Sequence, residues 1–341
     1  MTTEADIKAI LERAAAAETF DEEGIAAALE SLMSDTANDI QRAAFLMALR
    51  VRGETLPEIA GAARLLRQRM LAVEVPEGAV DIVGTGGDSH GTYNVSTCAA
   101  IVAAGAGLTV AKHGNRSVSS QSGASDVLQA LGVKIDLGPA QVSSVISKAG
   151  LAFMWAPMHH PAMKTWAPAR AALKIRTLFN LLGPIANPGR VTRQVIGVFD
   201  ANWVAPIADA LVSLGAEHAW VVHGSDGMDE LTTTGPTIVA EVRGGEVSIF
   251  DLTPGQAGLP LAHLGDLKGG DVTINAQAIR DLLEGVRSAY RDIVCLNAGA
   301  ALVVGERAAG IAEGVKLAAA AIDDGRAKAA LEKLIIASNA E

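Results

Sequence analysis

The chain has 341 residues, of which half are apolar, and a formal net charge of −10 at pH 7. This length is enough to bury a large core, as one big domain or two unequal ones, while the negative charge argues against nonspecific nucleic-acid binding. Two cysteines, Cys98 and Cys295, supply neither a disulfide framework nor metal-ligand spacing. The first residues show no basic region followed by an apolar run, and no stretch of about 18 apolar residues occurs. We therefore expect no signal peptide and no membrane span, and we predict a cytoplasmic protein.

The first 72 residues favour helices only. Apolar residues recur at three- and four-residue spacing in four segments, at 6–15, 22–33, 37–51 and 56–71. Some apolar residues of these helices fit a dimer interface and a core equally well, namely Phe45, Leu46, Leu49, Leu65 and Leu66.

The pattern then changes to short, mostly apolar strands with helices between them. The strands are predicted at 79–83, 108–111, 151–155, 194–199 and 219–223, and the helices include 124–131 and 203–214. A hairpin is predicted at 237–242 and 246–251, and helices complete the chain from 276 onward. Such alternation indicates a largely parallel sheet with covered faces. We predict an α/β fold, with a small all-helical N-terminal domain and a larger α/β domain whose mostly parallel central sheet is flanked by helices.

The segment 81–97 combines a buried strand, a glycine-rich turn and the start of a helix. Its glycines let the backbone approach a ligand closely, and the N–H groups of a helix start suit a phosphate. The Walker pattern is absent, because no Lys-Ser/Thr pair follows the last glycine, and Ser89 stands where the dinucleotide fingerprint requires glycine. The segment therefore predicts a different anion-binding loop, with an ordinary strand–turn–helix connection as the alternative.

A second polar loop, at 112–123, follows the next predicted strand. It holds two cations, one histidine, two glycines and four serines, which can present hydroxyls, N–H donors and fixed charge to phosphate oxygens. Ligands of open α/β sheets bind at the carboxyl ends of the strands. Two such loops together favour an anion site over two solvated loops.

Positive charge is concentrated in the middle third of the chain. Residues 89–199 contain ten Lys and Arg and only two acids, Asp126 and Asp136, so they carry +8 and the rest carries −18. An anionic ligand bound by this third would explain the asymmetry; drift in surface composition is the alternative.

Five separated motifs make the pattern specific. They are Gly84-Thr-Gly-Gly-Asp88, Asn94-Val-Ser-Thr97, Lys112-His-Gly-Asn-Arg116, Arg176-Thr-Leu-Phe-Asn-Leu-Leu-Gly-Pro-Ile-Ala-Asn-Pro188 and Gly227-Met-Asp-Glu-Leu231. In this order they resemble the motifs of the anthranilate phosphoribosyltransferases, which belong to the nucleoside phosphorylase-like class. The resemblance covers nearly the whole chain. It implies transfer of the 5-phosphoribosyl group from 5-phosphoribosyl 1-diphosphate (PRPP) to the amino group of anthranilate, giving N-(5-phosphoribosyl)anthranilate and diphosphate in tryptophan biosynthesis.

The resemblance also implies the domain division. The small helical domain would comprise residues 1–75, joined by roughly 161–190, and residues 76–341 would form the large α/β domain. Periodicity alone does not predict this division. We further expect a homodimer, with PRPP and anthranilate as its small-molecule partners, and no nucleic acid or membrane.

Site residues are implied in the same way. PRPP would contact Gly84, Gly87, Asp88, Thr92, Asn94, Val95, Ser96, Thr97, Lys112, His113, Gly114, Asn115, Arg116, Ser117, Val118, Ser119 and Ser120. Anthranilate would contact Gly84, Asn115 and Arg170, since a guanidinium matches a carboxylate in two hydrogen bonds. Mg²⁺, with two ions per site, would be held by Ser96, Asp229 and Glu230. We expect no general acid or base, because the reaction needs positioning and charge neutralisation.

Without the resemblance, a surface cation is an equally good interpretation of Arg170, and solvated surface acids are the favoured interpretation of the adjacent Asp229 and Glu230. Ala124 departs from the family, which often has serine there, so a hydroxyl contact to PRPP is missing. His159 and His160 are adjacent and point apart, which argues against joint metal ligation. One rival activity is that of a pyrimidine nucleoside phosphorylase, which lacks the carboxylate pair; another is a non-catalytic nucleic-acid binder, which the net charge disfavours.

Overall fold

The computed structural model describes residues 2–86, 90–115 and 122–341. The chain opens with four helices: α1 (Glu4–Ala15), α2 (Glu22–Met33), α3 (Asp39–Arg52) and α4 (Leu56–Arg69). Each begins after a polar residue that suits an N-cap, namely Thr3, Asp21, Asn38 or Thr55. The four helices predicted from periodicity are confirmed, with ends shifted by at most two residues.

A central sheet follows. Its strands are β1 (Val80–Gly84), β2 (Val110–Gly114), β3 (Leu151–Trp155), β4 (Arg193–Gly197), β5 (His218–Gly224), β6 (Thr237–Arg243) and β7 (Glu246–Leu252). The described residues form one sheet in the order β3-β2-β1-β4-β5-β6-β7. The first five strands in this order are parallel, and the hairpin β6–β7 adds the antiparallel edge. The predicted α/β fold with a mostly parallel sheet is confirmed.

The strand order reverses between β1 and β4. From β1 the chain builds outward through β2 and β3, and then returns to place β4 on the other side of β1. Loops leaving the carboxyl ends of β1 and β4 therefore turn in opposite directions and leave a crevice, which is where open α/β sheets bind ligands.

Helices cover both faces of the sheet. They are α5 (Val95–Gly105), α6 (Ala124–Ala130), α7 (Pro139–Ala149), α8 (Ala156–His159), α9 (Ala167–Leu173), α10 (Leu178–Ile185), α11 (Val204–Ser213), α12 (Val272–Leu283), α13 (Ala289–Val304), α14 (Ile311–Asp323) and α15 (Arg326–Asn339). Short 3₁₀ turns lie at Pro161–Trp166, Ala201–Trp203, Pro254–Ala257 and Leu264–Leu267.

Two apolar cores lie on opposite faces of the sheet. Strand residues alternate between them: Val195 and Trp220 face the core that contains α5 and α13, whereas Ile196 and Val221 face the core that contains the N-terminal helices and α11. The segment from Trp166 to α10 packs into this second core. The division into residues 1–75 with about 161–190, and 76–341, stays a prediction.

The apolar residues considered for a dimer interface are buried within the single chain: Phe45, Leu46, Leu49, Leu65 and Leu66 are each at most 6% exposed. Core packing therefore accounts for them, and the homodimer stays a prediction. Cys98 and Cys295 are both buried and unpaired as cysteines. Within the described residues, no helix is long and apolar enough to cross a membrane.

Candidate active site

One cavity of about 900 Å³ opens at the carboxyl ends of the parallel strands. The predicted site residues that the structure describes all line it: Gly84, Thr92, Asn94, Val95, Ser96, Thr97, Lys112, His113, Gly114, Asn115, Arg170, Asp229 and Glu230. The other predicted residues lie outside the described part of the chain: Gly87, Asp88, Arg116, Ser117, Val118, Ser119 and Ser120. The fold thus brings described residues of all five motifs to one place, while the roles of these residues stay predictions.

Two glycines make room for Asp229 at the crevice between β1 and β4. Gly84 and Gly197 are paired in register across these strands. A side chain at Gly84 would collide with the Asp229 carboxylate, and one at Gly197 with the Asp229 backbone. The N–H of Gly86, whose φ is +68°, donates to Asp229 Oδ2 at 2.6 Å. Glycine is therefore required here for close approach, and the carboxylate is fixed against the glycine loop.

The backbone next to this carboxylate is anchored by a residue that sequence reasoning missed. Asn297 is 1% exposed in α13; its Oδ1 accepts from Leu231 N at 3.0 Å, and its Nδ2 donates to Leu231 O at 2.8 Å. Leu231 directly follows Glu230, so the amide holds the segment that carries both carboxylates. An amide in the middle of an otherwise apolar helix is a signal that could have pointed to such a partner.

Lys112 lies under the start of α5. Its Nζ donates to Ile82 O at 2.5 Å and lies 3.5 Å from Ser96 Oγ, and the side chain is almost fully buried. Burial lowers the pKa of Lys112, and the nearby carboxylates of Asp81, Glu230 and Asp229 oppose that change. A desolvated lysine between two strand ends can act on a phosphate oxygen more strongly than a solvated one.

Asp81, in the middle of β1, ties the site strands together. Its carboxylate is fully buried and accepts from His113 N at 3.1 Å and from Asn187 Nδ2 at 2.7 Å. The same Asn187 amide donates to Ala111 O at 2.9 Å. Burial raises the pKa of Asp81 to about 6, while Lys112 and the hydrogen bonds from Asn187 and His113 favour the ionised carboxylate. An aspartate inside an apolar strand indicates such a buried network.

We call the residues at the strand ends and the start of α5 the strand wall: Gly84, Asn94, Ser96, Thr97, Lys112, Asp229 and Glu230. The residues around them from α3, the Pro161–Trp166 turn, α9 and α10 form the helix wall: Arg50, Lys164, Arg170, Lys174, Arg176 and Phe179. Among the described residues that line the cavity, both acids lie in the strand wall and five cations lie in the helix wall.

Arg170 is partly buried within the helix wall and lines the cavity. Its guanidinium carbon lies 5.4 Å from the ring centroid of Phe179, and desolvation lowers its pKa. A guanidinium held against an aromatic face and away from water is suited to a carboxylate.

Two histidines lie where the walls meet. The ring centroids of His113 and His160 are 5.2 Å apart, and His113 Nδ1 is 3.1 Å from Gly183 O. The carbonyl accepts from Nδ1–H, so Nε2 of this neutral ring is unprotonated. Burial lowers the pKa of His113 well below its ordinary value and that of His160 to about 4. His159 is fully buried and does not line the cavity, so the adjacent pair does not present a shared metal site.

The oxygen donors of the strand wall fit Mg²⁺. Asp229, Glu230 and the Ser96 hydroxyl line the same cavity, and Mg²⁺ favours one or two carboxylates together with waters and substrate phosphates. No group of three or more His, Cys, Asp or Glu in the described ranges could hold a metal by itself. The residues therefore suit an ion that is shared with a phosphorylated ligand rather than one in an all-protein cage.

The departure at Ala124 lies at the cavity. Ala124 begins α6 and lines the cavity without a hydroxyl. Ser125 is fully buried and does not line the cavity, so it does not replace the missing group.

The fold and the cavity define a class. Residues 76–328 match the glycosyl transferase family, a/b domain, and residues 8–70 match the glycosyl transferase family, helical bundle domain. These matches make the chain a member of the glycosyl transferase family.

Individual relatives narrow the class. Anthranilate phosphoribosyltransferase from Parvibaculum lavamentivorans is 56% identical over 98% of this chain and 98% of the relative. The crystal structure of anthranilate phosphoribosyltransferase from Thermus thermophilus superposes with a TM-score of 0.91 at 41% identity, covering 97% of this chain and 99% of that one. The Saccharomyces cerevisiae enzyme, in complex with PRPP and Mg, has a TM-score of 0.90 at 27% identity and covers 100% and 99%. The chain belongs to the anthranilate phosphoribosyltransferase family.

Proposed function

We propose that the protein transfers the 5-phosphoribosyl group of PRPP to the amino group of anthranilate, giving N-(5-phosphoribosyl)anthranilate and diphosphate in tryptophan biosynthesis. One observation carries the proposal: a single cavity places a carboxylate pair, a glycine loop and a buried lysine opposite a cationic wall that contains Arg170. Relatives with this name, and yeast structures with PRPP and with 4-fluoroanthranilate, support it.

The strand wall suits the donor. As the bond between C1 and the diphosphate oxygen breaks, positive charge grows on the ribose and negative charge on the diphosphate. Lys112 and the N–H groups at the start of α5 would stabilise the negative charge on the diphosphate, and Asn94 and Thr97 add polar groups that can hydrogen-bond to it. Asp229, Glu230 and Ser96 would hold Mg²⁺, and the bound ion would neutralise charge on the leaving diphosphate. That two ions bind is a further prediction.

The helix wall suits the acceptor. Arg170 would pair with the carboxylate of anthranilate in two hydrogen bonds and orient the ring. The amine nitrogen then bonds to C1 as the diphosphate leaves, and its extra proton passes to water. A neutral aryl amine needs no strong base, so the unprotonated Nε2 of His113 contributes a polar edge to the pocket rather than an essential base.

Location and assembly extend the proposal. The absence of a membrane-spanning helix from the described residues agrees with a cytoplasmic enzyme, and we propose that it acts as a homodimer. Size-exclusion chromatography with light scattering tests the assembly; a monomer at assay concentration would reject it.

The activity is tested by the fluorescence of anthranilate with PRPP and Mg²⁺, and then with EDTA. Loss of fluorescence only when PRPP and Mg²⁺ are both present would support the transfer and the metal requirement. If the folded protein causes no loss, the proposal fails, and nucleosides with inorganic phosphate become the next substrates to assay.

A further inference from the structure

A buried amide outside the predicted site joins α12 to the glycine loop. Asn275 is 2% exposed and lies in the first turns of α12. Its Nδ2 donates to Asn94 Oδ1 at 2.9 Å, and its Oδ1 accepts from Gly270 N at 2.8 Å. Asn275 does not line the cavity, so any influence on a ligand must pass through Asn94.

The Asn94 amide is fixed from a second side. Its Oδ1 also accepts from Ser122 Oγ at 3.1 Å, and its Nδ2 donates to Ser122 O at 3.1 Å. Flipping this amide would place its N–H₂ group against the Asn275 N–H₂ donor and its oxygen against the Ser122 carbonyl oxygen. Asn275 and Ser122 therefore determine which face of Asn94 is presented to the cavity.

The backbone around this contact shows the same coupling. Tyr93 N donates to Leu267 O at 3.1 Å, and Gly269 N donates to Gly91 O at 3.0 Å. A side chain at Gly269 would collide with the backbone of Thr92 and with the Asn275 amide. The segment before α12 thus lies directly against the end of the glycine loop, and Asn275, in the first turn of α12, adds a side-chain contact to Asn94.

We propose that Asn275 is a positioning residue for PRPP. Through Asn94 it holds the end of the glycine loop and the end of the second polar loop, at Ser122, in the arrangement that binds the diphosphate. The inference rests on the proposed function, since it assumes that Asn94 contacts the donor. It predicts a larger effect on the donor than on anthranilate, whose carboxylate would pair with Arg170 in the helix wall.

Two variants of Asn275 separate the roles of its amide donor and its amide acceptor. Asn275→Asp keeps the acceptor for Gly270 N and removes the donor to Asn94, whereas Asn275→Ala removes both without adding charge. Gln277→Ala, on the exposed face of the same helix, is the matched control. We expect the KM for PRPP to rise about tenfold in both Asn275 variants, the usual scale for one buried hydrogen bond, while the KM for anthranilate stays within about twofold and Gln277→Ala behaves as wild type.

A third variant tests the route through Asn94. Because Ser122 and Asn275 donate to the same oxygen, Ser122→Ala combined with Asn275→Ala should raise the KM for PRPP by less than the product of the single effects. Melting temperatures with and without PRPP accompany the kinetics, and we expect a smaller PRPP-induced rise in both Asn275 variants.

The inference is overturned if folded variants keep the wild-type KM for PRPP, or if both substrates weaken equally. It is also overturned if neither Asn275 variant folds, since Asn275 would then be a core residue only. A wild-type protein that is inactive with both substrates would instead reject the proposed function.

Discussion

The strand wall and the helix wall enclose the same cavity but are built differently. Strand-wall residues are fixed by hydrogen bonds from residues distant in the sequence, as Asp229 is by Gly86 and Asn94 is by Asn275. The helix wall comes mainly from an acid-free stretch, 137–199, folded into short helices. The comparison indicates that one wall must hold charges at defined positions, whereas the other supplies a positive field in which the guanidinium groups of Arg170 and Arg176 lie against aromatic rings.

The largest effect should come from the carboxylates of the strand wall. We expect Asp229→Asn with Glu230→Gln to lower Mg²⁺-dependent turnover by about a thousandfold or more, because the diphosphate would leave without its main counter-charge. Turnover is measured across a Mg²⁺ titration, and an unchanged melting temperature shows that the fold is intact. A variant with the wild-type Mg²⁺ dependence would remove this pair from the metal site.

The histidines between the walls predict a pH effect on stability. His160 has a pKa of about 4 in the folded protein against an ordinary 6.5, so the unfolded chain takes up the proton first. Stability is therefore complete above about pH 6.5 and falls as the pH drops towards 4, by about 3 kcal/mol from this group. Asp81 acts in the opposite direction, because its raised pKa of about 6 favours the protonated folded state.

The contribution of His160 is isolated by comparing how much stability the wild type and a His160 variant lose on acidification. Urea unfolding of wild type and His160→Gln at pH 7 and pH 4.5 should show that the variant loses less stability on acidification. The exposed His263→Gln is the matched control. Equal losses in wild type and His160→Gln would show that His160 titrates normally.

Within the helix wall, Arg170 should separate the substrates. We expect Arg170→Ala to raise the KM for anthranilate about tenfold to a hundredfold, the scale of a charged hydrogen-bonded pair, with a much smaller change for PRPP. Arg170→Lys keeps the charge but loses the fork, so it should recover only part of the loss. Equal losses for both substrates would contradict the assignment of this wall to the acceptor.

Local sequence patterns predicted the secondary-structure elements and the site motifs better than they predicted the distant residues that hydrogen-bond to those motifs. The strands and the glycine loops could be read because apolar runs and glycine clusters are local signals. Some partners of these motifs could not, since Asn275 and Asn297 reach the site only through tertiary contacts. An isolated amide in an apolar helix shows that a partner exists but not which one.

Substitution of Asn297 should have the smallest effect on turnover of these changes, because Asn297 acts only on the backbone beside the strand-wall residue Glu230. It forms two hydrogen bonds with the backbone of Leu231, beside Glu230, without touching the cavity. Asn297→Leu should lower stability by about 2 kcal/mol, since a buried N–H and C=O lose their partner, and should lower turnover about tenfold at limiting Mg²⁺. The exposed Asn339→Ala in α15 is the control for loss of a helical asparagine. If turnover recovers at saturating Mg²⁺ while stability stays low, Asn297 positions the carboxylates. If stability alone changes, the strand wall tolerates movement of its backbone, and the contrast between the two walls is weaker than the hydrogen bonds indicate.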